Sequence, residues 1–326
     1  MTANFVSPDT KRWPPELKPV RDEVETARKK FDADMYAKAG YSDAMSLQDM
    51  VYDQNLQNEL RSKMKKFKLA ELYGKALPTV LNPDDYVMQL KEGDRPMPYI
   101  LGTGDEGKLY LAQHRQTGKL VVIKALYPGK RMKDILLEYG VLQNAHRLLA
   151  RHGFTPCALV GFFKLRDDSP MMDKYNNILP VISIASLVKD VPLCLPLKQA
   201  VILLEEGKLA MVTKRQWSDI LYRVLKAVLI LNEAGIQHGD YHAGNICITY
   251  DKNSYNVSVI DFGCTDLTWK ADKKKDILQA FEHIGRVAKI VDMENTLAFA
   301  EFVLEDGDFE FDEVLNEFYE DMQSDL

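Results

Sequence analysis

Cysteine is scarce in this chain. Cys157, Cys194, Cys247 and Cys264 are scattered, and no two stand in a CxxC pair. That excludes a disulfide framework or a thiolate zinc site as the organising principle, and a reduced compartment is the simplest reading. Long apolar runs are missing too. The most apolar stretch, Ile220 to Leu231, is broken by Arg223 and Lys226 and is too short to span a bilayer. The N-terminus from Met1 to Pro19 carries prolines and charges but no apolar core, so it does not read as a Sec signal peptide. The expectation is a cytoplasmic protein with no membrane span. Positive charge is lacking at the end of the chain, where no Lys or Arg follows Lys289. The net charge of -6 argues against a nucleic-acid partner held by phosphate neutralisation. What is present is ordinary globular composition, 46% hydrophobic, which suffices for a sizeable core. The length suits one two-lobed domain with an extension, or two domains.

Punctuation along the chain suggests an order of elements. Residues 1–19 read as an extended lead-in. Val20 to Ala39 has helix formers and ends at Gly40, and Ser46 with Asp49 forms an approximate capping box for a second helix running to Tyr73. Asn82-Pro83 suits the start of a short third helix. Residues 20–95 are therefore expected to be a helical extension without a chemical motif. Its basic run, Arg61, Lys63, Lys65, Lys66 and Lys68, reads as a solvated face. From residue 96 the pattern changes. Tyr99 to Leu101, Leu109 to Ala112, Lys119 to Ala125, 154–165 and 178–188 are β-rich. Met132 to Leu149 and Trp217 to Ala234 have helical apolar spacing. Ile246 to Thr249 and Val257 to Ile260 read as a hairpin, and helices are expected around Ile277 to Val291 and Phe311 to Met322.

Three short segments punctuate this second region. Gly102-Thr103-Gly104-Asp105-Glu106-Gly107 precedes Val121-Val122-Ile123-Lys124. His238-Gly239-Asp240-Tyr241-His242-Ala243-Gly244-Asn245 follows a predicted helix. Asp261-Phe262-Gly263 follows a predicted strand. In this order and spacing the chain resembles the protein-kinase-like superfamily from about Tyr99 to Val291. The segment HGDYHAGNI is similar to the catalytic loop of aminoglycoside and choline kinases. The short stretch after Asp261 is similar to that of minimal atypical kinases.

The resemblance implies an α+β, bilobal protein-kinase-like fold. An antiparallel β-sheet N-lobe would occupy about 96–188 and a mainly helical C-lobe about 196–326, with the N-terminal helical extension ahead of both. It implies ATP and Mg2+ as cofactors, and transfer of the γ-phosphate to a hydroxyl of a protein or small-molecule acceptor. Gly102, Gly104 and Gly107 would close over phosphates, and Leu109 would cover the purine. Lys124, paired with Glu138, would hold phosphates, Asn245 and Asp261 would hold metal, and Asp240 would orient the hydroxyl. Asp276 is a candidate brace for the catalytic loop, or an ordinary helix N-terminal acid.

Departures from the pattern narrow the reading. Gly239 stands where typical protein kinases carry the Arg that receives a phosphorylated activation loop, and His242 stands in place of a Lys. Asp105 and Glu106 put two carboxylates at the glycine turn, where they would repel a triphosphate unless they face solvent or touch a metal. A hydrolytic metal centre at His238, Asp240 and His242 is the weaker alternative, because His114, His146, His152 and His283 supply no second ligand cluster by spacing. Other readings stay open. One is a pseudokinase or nucleotide-binding scaffold that engages a protein partner through residues 20–95. Another is transfer of the nucleotidyl part instead of the phosphate.

Overall fold

The computed structural model describes residues 45–74, 78–91, 97–104, 106–155, 157–183, 195–207, 209, 212–251, 254–265, 267, 273–306 and 311–326. The lead-in, the helix expected over Val20 to Ala39, residues 184–194 of the lobe connection, Asp105 and Cys194 lie outside them. The described residues fall into two compact units.

The first unit draws its described residues from Glu25–Asn144 and Cys157–Val188. In chain order its elements are β1 (Met50–Val51), α1 (Gln54–Lys66), α2 (Ala70–Tyr73), β2 (Tyr86–Met88), β3 (Leu90–Lys91), β4 (Met97–Pro98), β5 (Ile100–Thr103), β6 (Gly107–His114), β7 (Leu120–Leu126), α3 (Met132–Arg151, counted here to Asn144), β8 (Ala158–Leu165) and β9 (Ile178–Ser183). The main sheet has the order β1-β8-β9-β7-β6-β2, with β5 also on β6, and every pairing is antiparallel. Strand β7 is buried almost end to end, as expected for a central strand covered on both faces. Tyr110, Ile123, Phe163, Leu179 and Val181 form the heart of an apolar cluster on this sheet.

Two helices read from the sequence turn out otherwise. The Ser46–Asp49 capping box is present, but it closes only a 3-10 turn, Leu47–Asp49. The chain then extends into β1, because Met50 gains more by burial opposite Leu165 than by continuing a helix. The helix restarts at Gln54 under a cap from Asp53, whose carboxylate accepts from the Asn55 and Leu56 amides at 2.8 and 3.4 Å. The second difference is at Asn82. Its cap serves a 3-10 turn, Pro83–Asp85, after which Tyr86 and Met88 alternate into the core as β2.

The second unit draws its described residues from Ala145–Pro156 and Lys189–Leu326. It contains β10 (Leu195–Pro196), α4 (Leu197–Glu205), α5 (Lys214–Glu233), β11 (Ile246–Asp251), β12 (Ser254–Val259), α6 (Lys273–Val291), α7 (Glu294–Asp306) and α8 (Phe311–Ser324). Thr213 and Gln216 form a capping box that starts α5. The apolar face of α5, including Trp217, Leu221, Val224 and Val228, is fully buried. Phe281 of α6 packs edge-on against Phe318 of α8, with ring centroids 5.7 Å apart. A small antiparallel sheet, β10-β11-β12, completes the unit. An antiparallel sheet unit and a mainly helical unit are the two parts of the α+β, protein-kinase-like fold that the motifs imply. Among the described residues no helix is long and apolar enough to cross a membrane.

Candidate active site

In the first unit the glycine turn joins β5 to β6. The Gly104 amide donates to the Gly107 carbonyl at 3.0 Å, which closes the turn. The three glycines are not equivalent. A Cβ on Gly107 would overlap the Ala125 carbonyl oxygen of β7 and lie 2.9 Å from its carbon, so only glycine fits there. Gly104 has open space, and Gly102 has only Leu109 within ordinary contact. Leu109 stands opposite both Gly102 on β5 and Lys124 on β7. Its place on β6 beside the turn is the one expected for apolar cover.

Lys124 is buried in β7 and Glu138 in α3. The Lys124 ammonium donates to Glu138 Oε1 at 3.1 Å, so the pairing expected from sequence is formed. Two further residues join it. Glu106 Oε2 accepts from Lys124 at 2.9 Å, and Lys130 donates to Glu106 Oε1 at 2.8 Å and to Glu138 Oε2 at 2.6 Å. Glu106 therefore turns inward onto lysines, neither outward to solvent alone nor free to repel. Partial burial pushes its carboxyl up, but hydrogen bonds and charge from Lys130 and Lys124 outweigh that and hold it below its usual range. Lys130 was missed in the sequence. It lies outside the recognised motifs, four residues past the end of β7 and two before α3.

In the second unit α5 stops just before Gly235, and the loop that resembles a catalytic loop follows. His238 is fully buried. Its Nδ1 accepts from the Asp240 amide at 3.3 Å, so the proton sits on Nε2, which donates to the Ile260 carbonyl at 3.0 Å. Desolvation lowers its pKa and keeps the ring neutral. It also lies against Phe262, with ring centroids 4.8 Å apart. With both ring nitrogens engaged by backbone groups, His238 is a structural strut of the loop.

Asp276 of α6 is buried and uses both carboxylate oxygens on this loop, accepting from the His238 amide at 2.6 Å and the Gly239 amide at 3.0 Å. Burial pushes its pKa up, against the pull of those two donors. Of the two readings of Asp276, the brace is the one its bonds describe. Tyr241 adds two more anchors. Its hydroxyl donates to the Val224 carbonyl of α5 at 2.8 Å, and its amide donates to Gln279 of α6 at 2.9 Å.

Gly239 has φ +80, and a Cβ there would overlap the carbonyl oxygen of Cys264. The Arg of typical protein kinases has no room at this position. Asn245 donates from Nδ2 to the Asp240 carbonyl at 3.0 Å and, more loosely, to Asp240 Oδ2 at 3.4 Å. The Ile260 amide donates to the Asn245 carbonyl at 2.9 Å, which brings Asp261 beside Asn245. Asp261 itself adopts φ +61, is exposed, and accepts from the Gly263 amide at 3.4 Å. His242 is exposed. Its Nδ1 accepts from the Gly244 amide at 2.9 Å, and its Nε2 lies 3.5 Å from Asp240 Oδ2.

A model of the phosphotransferase enzyme family matches residues 197–271. The match begins with α4, runs through α5, the catalytic loop and the β11–β12 hairpin, and passes Asp261. It stops short of Lys124 and Glu138. The resemblance drawn from the motifs, to the protein-kinase-like superfamily with a catalytic loop of the aminoglycoside and choline kinase kind, is borne out over this stretch, where the chain is similar to phosphotransferases. No curated protein matches the chain.

Proposed function

We propose that this protein is an ATP- and Mg2+-dependent kinase that transfers the γ-phosphate to a hydroxyl of a protein or small-molecule acceptor. The observation that carries the reading is the catalytic loop. One side chain, Asn245, ties down both the backbone and the carboxylate of Asp240, while its own carbonyl tethers the residue before Asp261. Asp240 is thereby aimed, and two oxygen donors, the Asn245 amide oxygen and the Asp261 carboxylate, lie on neighbouring segments. Oxygen donors of this kind suit magnesium. Bound there, the cation would neutralise charge on the phosphates.

In this reading Lys124, directed by Glu138, holds the phosphates, and the Gly102–Gly107 turn and Leu109 cover the nucleotide. Asp240 orients the acceptor hydroxyl and takes its proton. The acceptor oxygen forms a bond to the γ-phosphorus as the bond to the bridging oxygen breaks, and ADP leaves. Catalysis is positioning plus charge neutralisation, without a covalent enzyme intermediate. The catalytic-loop resemblance favours a small-molecule acceptor. Residues 20–95 bring none of these groups; they lend β1 and β2 to the sheet, and their remaining surface is where a protein partner would engage. Cys157, Cys247 and Cys264 stand outside any disulfide, which suits a reduced, cytoplasmic setting.

The test is turnover of labelled ATP with cell extract split into protein and metabolite fractions. Asp240→Ala is expected to lower turnover by about 10²–10⁴-fold, and Asp261→Ala to abolish it, with the fold intact by circular dichroism. Wild-type phosphotransfer by pure Asp261→Ala would refute the assignment. One observation favours a second reading. Glu106 occupies Lys124, as a scaffold that binds a partner without turnover would tolerate. Mg·ATP binding with no hydrolysis would select the scaffold.

A further inference from the structure

The charged cluster of the first unit closes on itself. Going round, Glu106 meets Lys124 at 2.9 Å, Lys124 meets Glu138 at 3.1 Å, Glu138 meets Lys130 at 2.6 Å, and Lys130 returns to Glu106 at 2.8 Å. Signs alternate and the four formal charges cancel. The two acids are not alike, however. Glu138 is 5% exposed and belongs to a long helix, whereas the Glu106 side chain is 39% exposed and sits on a turn. Glu106 can therefore leave with little disturbance, and Glu138 cannot. Lys130 is also fixed from behind, because Asn176 donates to its carbonyl at 3.0 Å. With Glu106 withdrawn, the two lysines lose a carboxylate that they now share, and the donors it occupied are turned toward the place where the motif expects phosphate.

We propose that Lys130 is a second phosphate-holding residue beside Lys124, and that Glu106 is a built-in anion which the phosphates of a nucleotide displace. This rests on the nucleotide reading above. It explains why a carboxylate is tolerated in a phosphate-covering turn. In the absence of nucleotide it occupies donors of both lysines, and it withdraws when a more highly charged anion arrives.

The test is calorimetric titration of the full chain with ATP and, separately, with inorganic tripolyphosphate. Glu106→Gln is expected to bind both about tenfold more tightly than wild type, and Glu106→Ala repeats that arm without a residual amide bond to the lysines. In the Glu106→Gln background, Lys130→Met is expected to weaken both by about tenfold, with thermal melts reporting that each variant is folded. Unchanged or weaker affinity in both Glu106 variants overturns the displacement. Unchanged affinity on adding Lys130→Met overturns the second phosphate lysine. Lys124→Ala in the wild-type background separates the two levels. If it alone abolishes ATP binding while Glu106 and Lys130 changes do nothing, nucleotide binding stands and this proposal fails. If no variant binds ATP, both fail.

Discussion

Replacing Gly239 with alanine perturbs a point where the backbone of the 238–245 loop presses directly on the turn after Asp261. Two penalties add. The residue holds φ +80, and an L side chain in the left-handed region costs roughly 1–2 kcal/mol. The new methyl would also overlap the Cys264 carbonyl oxygen and lie 3.1 Å from its carbon. Backbone atoms cannot swing aside as a side chain can, so relief requires moving the Asp261–Cys264 turn, at about 1–3 kcal/mol. The sum is about 2–5 kcal/mol. Gly235 supplies an internal control. It has φ +74 and nothing within 4 Å of its built Cβ, so Gly235→Ala should show the conformational cost alone, about 1–2 kcal/mol. Urea unfolding of both variants, followed by circular dichroism, measures the difference. Gly239→Ala should be the less stable of the two by about 1–3 kcal/mol. Equal destabilisation would refute the claimed contact between the catalytic loop and the Asp261 turn.

Two further outcomes follow from buried charge. Asp276→Ala strands the His238 and Gly239 amides and should destabilise by about 2–5 kcal/mol, whereas Asp276→Asn keeps one acceptor and should lose about half as much. Equal shifts in the urea midpoint for the two variants would show that the amides find other partners. Stability should also fall on acidification. Desolvation, with help from the nearby His242 and Arg286, lowers the His283 pKa from 6.5 to about 4, and desolvation lowers that of His238 as well. The unfolded chain therefore binds protons that the native chain refuses. The stabilisation is complete above pH 6.5 and drains away down to about pH 4, by up to about 3 kcal/mol for His283. A His283→Asn protein should show a flatter decline in urea midpoint between those limits, and a decline as steep as wild type would count against the assignment.

The parts of the molecule that were legible in sequence are those where a local pattern and the tertiary environment agree. Helix α5 has a capping box, a strong apolar stripe and a terminal Gly235, and it forms where expected. The pairing of Lys124 with Glu138 could be anticipated because a charged residue on an apolar helix stripe needs an inward partner. Helix α7 was not read. Its apolar residues are split between a buried set, Phe299, Ala300 and Val303, and an exposed set, Phe302 and Leu304, so no single face stands out. Strands β1 and β2 were hidden for another reason. They are short, and their pairing with β8 and β6 is decided by partners far away in the chain. The role of Lys130 was illegible because it depends on two glutamates 24 residues before it and 8 residues after it, a relation that no spacing rule describes.

Along 238–245 the loop divides its labour by depth. His238, Tyr241, Ala243 and Asn245 are buried, while Asp240 is half-buried and His242 is exposed. Depth thus separates the side chains that moor the loop from the one at 242, which descendants of this chain could exchange without renegotiating how the loop is tied to α5 and α6.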